Sequence, residues 1–115
     1  MAEPNITAVT SILGKMAVLV VTTSPVAILT TATNHVSKCN SLIIANVDGT
    51  NGATVDVDIY RSSVAYSIAK TIMVPADASL DVLSSHIYLQ EGDALRITAS
   101  ATSDLQAVLS YEDIS

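Results

Sequence analysis

The chain has 115 residues, enough for one domain and one core. Half of it is hydrophobic and only 14% is charged, which excludes a disordered chain. Its net charge is −6 and its five cations, Lys15, Lys38, Arg61, Lys70 and Arg96, are scattered, which argues against nucleic acid as a partner.

The apolar content is Val, Ile, Leu and Ala, with no Phe, no Trp and four Tyr, a mixture that favours strands. The segment up to Lys15 mixes Thr and Ser with Ile6, Val9, Ile12 and Leu13. It reads either as an N-terminal arm or as an edge strand of the domain. With Glu3 and Pro4 it lacks the basic-then-apolar order of a secretory signal, so Asn5-Ile6-Thr7, a glycosylation acceptor by pattern, carries little weight. Met16 to Thr22 is a continuous apolar run, the pattern of a strand buried on both faces, and Met16 to Val21 is too short for a spanning helix, so no membrane is expected.

Ser24-Pro25 breaks this run before a second strand, Val26 to Thr30. Asn34-His35 is a polar loop in which His35 is expected to face solvent. A third strand runs from Cys39 to Val47. Asp48-Gly49 and Asn51-Gly52 then form the strongest turn signal in the chain, predicting a loop between neighbouring antiparallel strands. Ala53 to Tyr60 alternates strictly, with Val55, Val57 and Ile59 facing the core and Asp56, Asp58 and Tyr60 facing water.

An Arg61-Ser62-Ser63 turn leads to Val64 to Val74, one long strand or two short ones, ended by Pro75. Ser79 to Leu83 and His86 to Gln90 are short strands. Glu91-Gly92-Asp93 is a turn that, by its spacing, joins a hairpin to Ala94 to Ala99. Leu105 to Ile114 is the last strand. Eight or nine strands at this spacing predict a single all-β domain over residues 1–115, an antiparallel β-sandwich or jelly roll of about eight strands.

No catalytic, cofactor or metal site is expected. Cys39 is alone, so no internal disulfide can form, and it reads as a buried structural thiol. His35 and His86 lie outside any nucleophile motif, and one Cys with two distant His lacks zinc-ligand spacing. Asp56 and Asp58 share a strand face, with Asp48 in the loop before them. Calcium is imaginable there, more so if a symmetry axis repeated each Asp, but a solvated polar face is the simpler reading. Tyr60, Tyr66, Tyr88 and Tyr111 are the only aromatic platforms on which a carbohydrate-binding module could be built.

Several stretches resemble the small β-sandwich virion proteins of tailed bacteriophages, particularly marine and cyanobacterial ones. They are SLIIANVDG (Ser41 to Gly49), TVDVDIY (Thr54 to Tyr60), YSIAKTIMVP (Tyr66 to Pro75) leading to Ser79-Leu80, IYLQEGDALRI (Ile87 to Ile97) and SYEDI (Ser110 to Ile114). The resemblance implies a non-enzymatic structural protein on the capsid surface. In that role it would be a decoration or cement protein that binds the major capsid protein as a homo-oligomer, a trimer above all. A neck, tail or fibre-adaptor protein is the alternative within the same particle.

Overall fold

A computed structural model describes residues 11–83, 85–101 and 104–115. These residues form a sandwich of two antiparallel sheets built from nine strands. The first sheet is ordered β1 (Ile12–Val20), β9 (Leu105–Ile114), β3 (Val36–Asn46) and β6 (Ser79–Asp81), and β7 (Ile87–Leu89) also pairs with β3. Asp81 sits opposite Ile43 and Ile87 opposite Cys39, so β6 and β7 lie in tandem along one side of β3. The second sheet is ordered β2 (Val26–Thr30), β8 (Ala94–Ala99), β4 (Ala53–Arg61) and β5 (Val64–Val74).

Alternation explains which side chains meet between the sheets. Leu42, Ile44, Ala107 and Leu109 line the inner face of the first sheet, and Val55, Val57, Leu95 and Ile97 that of the second; all eight are buried. Leu89, Leu105, Val21, Cys39 and Val74 extend the core, and Tyr111 packs against it, partly buried. Polar groups that enter it are paired. Thr31 Oγ1 donates to Ser37 Oγ at 2.9 Å, and Asn46 Nδ2 donates to the carbonyls of Val74 and Asn51.

Among the described residues nine strands are present where eight or nine are expected, and Val64 to Val74 is one strand. Three expectations are corrected. Asp48 to Gly52 does not join neighbours: β3 and β4 belong to different sheets, and the loop crosses between them. Its geometry comes from side chains, since Asp48 Oδ1 accepts from the amides of Thr50 and Asn51, and neither Gly49 nor Gly52 adopts a positive φ. The tight hairpin is instead at Ser62-Ser63, between β4 and β5, where Arg61 pairs with Val64 and φ is 52° and 64°.

Glu91-Gly92-Asp93 is a turn, closed by the Asp93 amide on the Gln90 carbonyl at 3.0 Å, with Gly92 at φ 85°. It too crosses between sheets, from β7 to β8, and forms no hairpin.

The third correction concerns Met16 to Thr22. Its strand runs from Ile12 to Val20 at the edge of the first sheet, and because that sheet is one layer of a two-layer sandwich, only one face of the strand is covered. Ala17 and Leu19 pack on the core, whereas Met16 and Val18 are 67% and 73% exposed. Ile12 to Lys15 therefore belong to an edge strand; the rest of the segment read as an arm, residues 1–10 with Asn5-Ile6-Thr7, lies outside the described residues.

Candidate functional site

The residues that invited a chemical reading are held in separate structural contacts. Cys39 is fully buried on β3, and burial pushes its thiol pKa up to about 12, the reverse of what a nucleophile requires. His35 does not simply face solvent as expected. Its Nδ1 lies 2.7 Å from Asp113 Oδ1, while Lys15 Nζ reaches Asp113 Oδ2 at 3.2 Å. The three close one end of the sandwich by joining the β2–β3 turn to β9 and β1. Desolvation raises the Asp113 pKa, but the bonds from His35 and Lys15 outweigh it and hold the carboxyl below its usual range. His86 packs edge-on against the Tyr88 ring at 5.7 Å.

Asp56 and Asp58 do share the outer face of β4. There Asp58 is bound by Arg96, Nε to Oδ1 at 2.9 Å, and Asp56 accepts the Thr71 amide. Arg96 also lies 4.0 Å above the Tyr60 ring, so that ring is covered by a cation. Asp48 is satisfied within its own loop. Among the described residues, no group of three or more His, Cys, Asp or Glu is placed to hold a metal ion.

Asp93, expected simply in a turn, is buried. It accepts from Arg61 Nε at 2.8 Å and from the Gln90 amide at 2.9 Å. The Arg61 bond is the main cause that holds its carboxyl below the usual range, against the desolvation of its site. Tyr66 and Tyr88 are exposed, on β5 and β7 respectively.

The feature that remains is a surface. On the outer face of the first sheet, Val18, Val108 and Ile43 stand side by side across β1, β9 and β3. Met16 and Val20 flank Val18 along the edge strand, and all but the half-buried Val108 are well exposed. Ser110 and Ser41 stand in the same row as Met16, and the next row along holds Glu112 and Lys38, so the apolar stripe has a polar rim. The sequence hid it. A run such as MAVLVV is apolar on both faces, and period alone cannot separate a strand buried on both sides from an edge strand that displays one.

No protein-family model and no curated protein matches this chain.

Proposed function

We propose that the protein is a non-enzymatic structural subunit of a virus particle, a capsid decoration or cement protein that acts in many copies on the major capsid lattice. The observation that carries this reading is the rimmed apolar stripe of Met16, Val18, Val20 and Ile43 on an otherwise acidic domain, since contiguous exposed apolar surface of this kind marks interaction sites. The polar groups support it from the other side, because Cys39, His35, Asp58 and Asp93 are each committed to packing or pairing.

Strand order adds support. We read β1-β9-β3-β6 facing β2-β8-β4-β5 as a jelly roll in which β6 and β7 together take the place of one strand. That architecture recurs in viral capsid and lectin domains, and fold by itself does not decide between them. The resemblance of Ser41 to Gly49, Thr54 to Tyr60 and Ile87 to Ile97 to phage virion proteins favours the capsid.

The test is to add purified protein to capsids assembled from the major capsid protein of the same genome, followed by co-sedimentation and electron microscopy. Saturable density over the whole shell is expected. Binding confined to a neck or tail, or no binding to particles, would overturn the reading.

A further inference from the structure

The edge of β1 is built differently from the other sheet edges. β2 has five residues and a register shift between Ala27 and Leu29, β5 has two shifts against β4 and a positive φ at Thr71, and β6 and β7 have three residues each. Short strands and bulges are the devices that keep an edge from pairing with another chain. β1 has neither: nine residues run in unbroken register beside β9, without proline or acid, in a chain that carries eleven acidic residues. Its one charge, Lys15, is bound by Asp113 of the same chain.

The hydrogen-bond phase of this edge follows from its ends. Ser11 and Ser115 exchange both backbone bonds, and the Val21 amide reaches the Leu105 carbonyl, in line with the β1–β9 register. Antiparallel ladders alternate, so Leu13, Lys15, Ala17 and Leu19 bond to β9. Ile12, Gly14, Met16, Val18 and Val20 therefore turn their N–H and C=O groups toward the free edge. Among the described residues, β9 is the only strand that pairs with β1.

We propose that a second copy of this chain occupies that edge, with β1 pairing antiparallel to β1 about a two-fold axis at Met16. In this register Met16 faces Met16 of the partner subunit, Gly14 faces the partner's Val18, and Ile12 faces the partner's Val20. All five outward residues are matched, giving five facing pairs that each exchange both bonds. Any other two-fold centre on the strand leaves some of them unmatched.

Side chains fit the same register. Val18 meets a glycine, which has no Cβ. Leu13, 51% exposed in the single chain, meets the partner's Leu19, and Lys15 meets the partner's Ala17 rather than its own counterpart, so no like charges stand directly opposite. The two first sheets become one continuous sheet, and the apolar stripe runs up to the axis from both sides. A two-fold contact of this kind makes a dimer and replaces the trimer that the resemblance implies.

The inference rests on the reading of the protein as an assembling subunit, but not on what it decorates. Dimerisation without capsid binding would sink only the capsid reading, and capsid binding by a strict monomer would sink only this one.

The test is sedimentation equilibrium of the full chain, with nitroxide labels on single cysteines placed at Met16 or at Val20; native Cys39 is buried and does not take the label. A dimer is expected, with the backbones at residue 16 about 5.5 Å apart and those at residue 20 about 27 Å apart, eight residues along the strand. Met16→Asp, which sets two carboxylates face to face at the axis, is expected to weaken association at least ten-fold without loss of fold, and Val18→Lys serves as a second variant if it misfolds. A monomer at all concentrations, or labels closer at Val20 than at Met16, would overturn the proposal.

Discussion

Asp93 and Asp113 are both carboxylates that the fold keeps ionised, one against Arg61 and the other against His35 and Lys15. Their pKa values lie below the ordinary carboxylate value, so their contribution to stability is complete above that value and is lost as the pH falls through the lowered ones. Acid unfolding of the Asp93→Asn variant, followed by circular dichroism, should accordingly show a shallower loss of stability below pH 4 than the parent. Asp93→Ala also strands the Gln90 amide. Because the Arg61 side chain is 46% exposed and can turn to water, the expected loss is modest, about 2 kcal/mol in urea unfolding. Cys39 makes the opposite prediction. Buried and held as a thiol through the neutral range, it should react with aromatic disulfides at pH 8 only as fast as the domain opens, and at once in denaturant.

At the scale of elements, the sequence was most legible where alternation was strict. Val55, Val57 and Ile59 against Asp56, Asp58 and Tyr60 identified β4 and its two faces, because one face packs on the core and the other is wet. Turn dipeptides were less informative. Asp48-Gly49 and Asn51-Gly52 serve a crossing between sheets, while the two-residue hairpin between β4 and β5 uses Ser62-Ser63, residues that adopt a positive φ at a cost. Replacing Ser62-Ser63 by Asn-Gly is therefore expected to stabilise the fold by about 1 kcal/mol, measured by thermal unfolding. Packing predicts a sharper contrast between neighbours in one row of residues or the next. Leu109→Ala in the core should cost about 2 to 5 kcal/mol, whereas Val108→Thr on the outer face should fall within about 0.5 kcal/mol in the dilute protein.

For the whole molecule, the net charge of −6 opposes association in general, so self-association needs a surface from which acidic residues are missing. The β1 edge is such a surface. If two chains join there, the melting temperature should rise with protein concentration, as it does whenever assembly favours the folded state, and Met16→Asp should remove that dependence. The polar end cluster of Lys15, Asp113 and His35 lies on the inner side of the sheet, away from the stripe formed by Met16, Val18 and Val20.

By itself the sequence determined that this is an all-β domain, roughly where each strand lies, and which face of β4 is buried, because these depend on local composition and on a period of two. It also showed that Cys39 has no partner cysteine. Only the tertiary structure decided which strands are neighbours, and with that the exposure of Met16 and Val18, the crossing made by Asp48 to Gly52, and the meeting of His35 with Asp113. Those depend on pairings between residues far apart in the chain, such as Val18 with Val108 and Val108 with Ile43, which no local pattern specifies.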